Sequence, residues 1–195
     1  FDRRADGLVV GEGAAIFALR RVEDALAAGD RILGLIHAVG LSNDVGGSLL
    51  SPEVEGQRRA MAAAYASAGW SPADVDLVEC HGTGTARGDG VELASLGGLW
   101  AESGGRAVLG SVKSNVGHLL TAAGAAAFAK VLLALRDGVL PPTAGFEQPV
   151  EALDGSPFEV LAAPRPWPDP GRPRRAAVSG FGFGGINAHL LVEED

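Results

Sequence analysis

With 195 residues, 47% of them hydrophobic and 21% charged, the chain is long enough to bury a core and has an ordinary globular composition. A formal charge of −8 argues against a nucleic-acid-binding surface. The single cysteine, Cys80, excludes an internal disulfide and fits a reducing compartment, so a cytoplasmic location is expected.

The opening Phe1-Asp2-Arg3-Arg4 has no signal-peptide layout. Leu8-Val9-Val10 and the apolar run 14–19 flank Gly11-Glu12-Gly13, which predicts a buried strand over 6–19 carrying a glycine irregularity. Helix formers over 21–28 end at Gly29, a helix with a glycine cap. A second strand is predicted over 31–41, then a loop through Ser42-Asn43-Asp44 and Gly46-Gly47. The spacing of Val54, Met61, Ala64 and Tyr65 predicts a helix over 52–68, with Ser51 and Pro52 suited to the N-cap and first helical positions. A turn over 71–74 leads into a strand from Val75 to Cys80, followed by a helix over 89–100 and a short strand over 107–109.

The alanine-rich run from Leu119 to Leu135 is broken by Lys130 and followed by Arg136-Asp137, so it predicts a buried helix and not a membrane span. Five prolines between Pro164 and Pro173 mark 141–173 as an irregular surface excursion. Strands resume at 176–181 and 188–192. The alternation of strand and helix predicts an α/β layer structure around a largely buried sheet.

Chemistry concentrates in three glycine-rich clusters. His81 heads His81-Gly82-Thr83-Gly84-Thr85, and His118 closes Lys113-Ser114-Asn115-Val116-Gly117-His118. Each is expected where a strand stops and a loop opens, a place where a rigid element positions the backbone and the loop exposes the side chain. The glycines allow close approach and the threonines supply hydroxyls. Lys113 and Asn115 add donors that would be costly to bury without a purpose. The pair of histidines points to acid/base chemistry on a carbonyl compound.

In the third cluster, Ser179 to Asn187, Gly180, Gly182 and Gly185 formally match the dinucleotide fingerprint. That motif must open a helix and precede an acidic residue about 20 positions on. Here it leads into Ala188-His189-Leu190-Leu191-Val192, so a strand-to-strand turn with backbone N–H groups facing a ligand fits better. No short His or Cys spacing suggests a metal. Cys80, His37 and His189 read as core or structural residues.

Taken together, Val78–Asp89 (VECHGTGTARGD), Gly110–Gly124 (GSVKSNVGHLLTAAG) and Ala177–Glu194 (AVSGFGFGGINAHLLVEE) resemble the β-ketoacyl synthase (ketosynthase) domain of type I polyketide and fatty-acid synthases. The resemblance covers nearly the whole chain. It implies a thiolase-like layered α/β/α fold, with 1–45 ending a first half as its last strand and connecting helix, and 46–195 forming the second half. It also implies a decarboxylative Claisen condensation between an acyl chain and a malonyl-type thioester on an acyl carrier protein.

By the same resemblance the nucleophilic cysteine lies outside this chain, so the chain alone is expected to be inactive and to need the first half, in a homodimer. His81 and His118 would serve decarboxylation and the enolate oxygen, Lys113 would hydrogen-bond around the site with Glu92 as its acidic partner, and Phe183 would gate the cavity. Thr83 and Thr85 would contact the phosphopantetheine arm of the carrier, with Gly182 and Gly184 beside them and Asn115 in support. No cofactor of the chain's own is expected. A non-catalytic scaffold or carrier-docking half, or a decarboxylase-only ketosynthase, is the alternative. Gly90 and Ile186 depart from the proline and threonine common at these places in the family.

Overall fold

The computed structural model describes residues 1–46, 51–101 and 103–195; Gly47 of the predicted loop lies outside them. Helix α1 (Val22–Ala28) ends at Gly29, as its sequence predicts. It is followed by β1 (Leu35–Asn43), α2 (Val54–Ala68), β2 (Leu77–Glu79), α3 (Ala86–Trp100), β3 (Ala107–Gly110) and the single turn α4 (Lys113–Val116). The second part contains α5 (Ala123–Asp137), β4 (Val139–Leu140), β5 (Phe158–Val160), β6 (Arg165–Pro166), β7 (Arg175–Gly182) and β8 (Ile186–Glu193).

Six strands form one sheet in the order β1-β8-β7-β2-β3-β5. β7, β2, β3 and β5 run parallel, whereas β8 is antiparallel to both β7 and β1. The sheet crosses the sequence boundary at 45/46, because β1 pairs along its length with β8.

Successive strand residues face opposite ways, and this alternation builds two cores. Val78, Cys80, Leu109, Ala177 and Leu191 pack under α2 and α3 with Met61, Tyr65, Leu96 and Trp100. Leu77, Val108, Val178 and Val192 face α5 through Phe128, Val131 and Leu135. The result is helices, sheet, helix. Gly40 lets α2 lie directly on β1: a methyl there would stand 1.9 Å from the Ala60 carbonyl oxygen.

Four expectations change. Residues 6–19 form no strand; Val9 and Ile16 are 75% and 98% exposed, because no neighbouring strand among the described residues offers them a hydrogen-bonding ladder. Only Val9–Gly11 pairs, through a parallel bridge from Val10 to His118. Helix α2 starts after Glu53, not at Ser51–Pro52, since the Asp44 carboxylate accepts the Glu53 N–H at 3.1 Å and holds the chain extended there. Helix α3 starts a turn earlier than 89, because the Thr85 hydroxyl accepts the Gly88 N–H at 3.1 Å and caps it. Finally, the run from Leu119 is not one helix: a 3-10 turn over Leu120–Ala122 precedes α5, and Leu120 adopts a left-handed φ of 52°.

Candidate active site

The geometry begins with backbone groups that hold the two imidazoles. His81 leaves the C-terminal end of β2, and its Nδ1 accepts the Phe181 N–H from β7 at 3.4 Å. His118 does not follow a strand as expected, because the turn α4 intervenes. It is clamped on both sides of its own peptide: its N–H donates to the Val9 carbonyl at 2.7 Å, and its carbonyl accepts the Gly11 N–H at 3.0 Å. Gly11 makes this approach possible, since a methyl there would lie 2.3 Å from the Val116 carbonyl oxygen. The strained Leu120 turn brings the Leu120 N–H to His118 Nδ1 at 3.0 Å.

Both rings therefore use Nδ1 as an acceptor, which assigns the proton of each neutral imidazole to Nε2. The ring centroids lie 5.3 Å apart, nearly perpendicular at 83°, and Phe181 stacks beside His81 at 5.7 Å. Burial, then the positive charge of Lys113, then His118, hold the His81 imidazole down at about 3. Burial and Lys113 also lower His118. Both rings stay uncharged near neutral pH and present N–H donors.

Both histidines line one cavity of about 460 Å³ together with Thr83, Thr85, Lys113, Gly182 and Phe183. The Thr83 and Thr85 hydroxyls are 3.0 Å apart. Phe183 is exposed at the tip of the β7–β8 hairpin, where Gly184 and Gly185 take left-handed φ values of 83° and 77°. This is a strand-to-strand turn, not a helix-opening dinucleotide loop. Asp44 braces it: the carboxylate accepts Asn187 Nδ2 at 2.8 Å and the Asp44 N–H donates to the Gly185 carbonyl.

Three expected placements differ. Glu92 forms no ion pair with Lys113; its two carboxylate oxygens each accept one backbone N–H, from His81 and Gly82, both at 2.7 Å. A carboxylate at that point in α3 reaches the loop before it reaches the lysine. Burial pushes Glu92 up to about 7 against the pull of those amides and of Lys113. Burial lowers the Lys113 ammonium, with Glu92 and Glu79 opposing. Asn115 and Gly184 do not line the histidine cavity. Asn115 lines an adjoining cavity of about 480 Å³ that shares Thr83, Lys113 and His118 with the first.

Residues with no assigned role also reach the histidine cavity, among them Asp44, Gln57, Ser179 and Asn187. Ser179 and Asn187 stand inside the third glycine cluster and were open to notice there. Gln57 sits within an ordinary helical pattern that carries no signal. Cys80 is fully buried, and burial raises its thiol well above the ordinary value, which fits a core residue. His189 is also buried, held to Ser179 at 3.1 Å. Among the described residues, no His, Cys, Asp or Glu cluster is arranged for a metal, and no helix is long and apolar enough to cross a membrane.

A family model for the C-terminal domain of β-ketoacyl synthases matches residues 33–147. The chain belongs to the β-ketoacyl synthase family. Over the full chain it is 42% identical to a phenolphthiocerol/phthiocerol polyketide synthase of Mycobacterium tuberculosis and 44% identical to the spectinabilin polyketide synthase system protein NorA' of Streptomyces orinoci. It spans only 11% and 6% of those proteins. Among solved structures, ketosynthase twelve of the bacillaene polyketide synthase of Bacillus amyloliquefaciens superposes with a TM-score of 0.96 at 37% identity, over all of this chain and 36% of that one. The PfaC keto synthase–chain length factor gives 0.91 at 41% identity, over all of this chain and 21% of that one. The layered α/β/α sheet is thus that of the thiolase-like ketosynthases.

Proposed function

We propose that this β-ketoacyl synthase chain supplies the decarboxylating and enolate-stabilising half of a condensing polyketide ketosynthase. The observation that carries the reading is the convergence of two neutral imidazoles, each with Nδ1 occupied by a backbone N–H and Nε2–H left as a donor, on one cavity beside a half-buried ammonium.

A malonyl-type thioester, delivered on the phosphopantetheine arm of an acyl carrier protein, places its thioester carbonyl against His81 and His118. The bond from the α-carbon to the carboxylate breaks, CO₂ leaves, and the electron pair passes to the α-carbon and thioester oxygen as an enolate. Two N–H donors stabilise that oxyanion without giving up a proton. The enolate carbon then attacks an acyl thioester on a cysteine supplied from outside this chain; the new carbon–carbon bond forms as the acyl carbon–sulfur bond breaks and the thiolate departs.

Lys113 adds positive potential at the carboxylate end. Thr83 and Thr85 hydrogen-bond the pantetheine amides, and Phe183 with its flanking Gly182 and Gly184 opens and closes the approach.

The test is His118→Ala in the intact polypeptide that carries this chain. Removing one oxyanion donor is expected to slow decarboxylation and condensation by about 10²–10³-fold, while acylation of the cysteine proceeds as before. Unchanged decarboxylation would overturn the reading. An inert scaffold is disfavoured because it has no use for two Nε2–H donors aimed into one cavity.

A further inference from the structure

Two charged side chains in the sheet's α5-facing layer have no part in the mechanism above. Resting on that reading of the cavity, we infer that Glu79 and Lys130 form a buried positioning pair that holds the Val112–Lys113 turn, and with it the Lys113 ammonium, against the two histidines.

Glu79 is the last residue of β2, two before His81, and is fully buried. By alternation it faces the same way as Leu77, toward α5. There Lys130 Nζ meets one carboxylate oxygen at 2.6 Å, with the lysine side chain only 12% exposed. The other oxygen accepts the Val112 N–H at 2.6 Å. Val112 is the residue before Lys113 and the N-cap of α4. One carboxylate therefore ties together three elements: the strand that ends at His81, the turn that launches Lys113, and the helix behind both.

Burying two charges in a layer otherwise made of Leu77, Val108 and Val131 is a poor way to gain stability, because desolvation offsets the attraction and apolar residues of similar volume commonly do as well. What the pair provides is direction. A charged acceptor fixes the Val112 amide more tightly than a neutral one, so the first turn of α4 has one orientation. The anion also lies close enough to Lys113 to oppose the effect of burial on its ammonium. Gly110 leaves the space: a methyl there would stand 2.9 Å from Lys130 Nζ and 3.6 Å from the Glu79 oxygen. A loosened α4 would move Lys113 by a fraction of an ångström to an ångström, a displacement that costs catalysis while leaving binding largely intact.

The experiment uses the intact polypeptide with a carrier-bound malonyl-type thioester. It follows decarboxylation kcat and KM, the rate of cysteine acylation, and the melting temperature. Glu79→Gln and Lys130→Met are expected to lower decarboxylation kcat by about tenfold or more, with KM and acylation changed less than about twofold. Lys130→Arg keeps the cation and is expected to retain most of the rate. Gly110→Ala meets only the flexible end of Lys130 and is expected to lower the rate less than Lys130→Met; Lys130→Gln decides the matter if Lys130→Met does not fold.

If Lys130→Met, or Lys130→Gln in its place, lowers decarboxylation no more than acylation, the pair is merely structural and the inference fails. His118→Ala, measured alongside, separates the two ideas. If it suppresses decarboxylation and the pair variants do not, only the pair is refuted; if it does not, the reading of the cavity itself falls.

Discussion

The Glu92→Gln substitution isolates what the buried carboxylate does to folding. In the native protein each Glu92 oxygen accepts one backbone N–H, from His81 and from Gly82, at 2.7 Å. Glu92 is 2% exposed, and burial raises it to about 7 from an ordinary 4.5. The unfolded chain therefore releases this proton near pH 4.5, whereas the folded protein keeps it until about pH 7. The stability linked to that proton is fully present below 4.5 and is lost as pH rises through 7, with a total loss of about 3 kcal/mol at 1.4 kcal/mol per pH unit.

Glutamine does not titrate, so Glu92→Gln removes this slope. Glutamine carries one acceptor and a donor, the inventory of the protonated acid, so at low pH the two proteins are expected to differ by no more than about 1 kcal/mol. Urea unfolding of the two proteins at a series of pH values from 4.5 to 8.5 is the assay. The variant is expected to match the native protein closely at the acid end and to exceed its stability by up to about 3 kcal/mol at the alkaline end. A stability difference that stays constant within about 0.5 kcal/mol across the series would refute the reasoning, because Glu92 would then not carry its proton into the neutral range.

Two further expectations follow from particular contacts. His81, held near 3, should show the neutral imidazole pattern in ¹⁵N spectra from pH 5 to 8, with the proton on Nε2; an imidazolium at pH 6 would contradict the site's electrostatics. Its folded value lies below the ordinary 6.5, so its contribution to stability is present above 6.5 and is lost as pH falls toward 3. Gly40→Ala would put a methyl 1.9 Å from the Ala60 carbonyl oxygen and 2.6 Å from the Ala64 nitrogen. Backbone atoms cannot step aside, so a loss of about 1–3 kcal/mol or more is expected, read as a lower melting temperature; an unchanged one would mean that α2 does not sit on β1 as described.

Elements with local causes could be read directly from the residues. Short apolar runs bounded by turns made β2, β3, β7 and β8, helix formers closed by Gly29 and Gly69 made α1 and α2, and the glycine–aromatic run after Ser179 made a turn between strands. His81, His118, Thr83 and Thr85 stand out because a polar donor beside glycine in an aliphatic region is conspicuous without any structure, and Lys113 because it adds a cation close by in the chain; Phe183 rested on the family resemblance.

Side-chain partners came only from the folded arrangement. Glu92 hydrogen-bonds the His81 and Gly82 amides and reaches Lys113 only through its charge, and Asn115 lines the adjoining cavity. The segment 6–19 clamps His118 through three residues and forms no strand, and Glu79 meets a lysine 51 residues away. Periodicity and turn chemistry are written within a few neighbouring residues, whereas a carboxylate's partner depends on sheet register and helix placement, which no short stretch of chain contains.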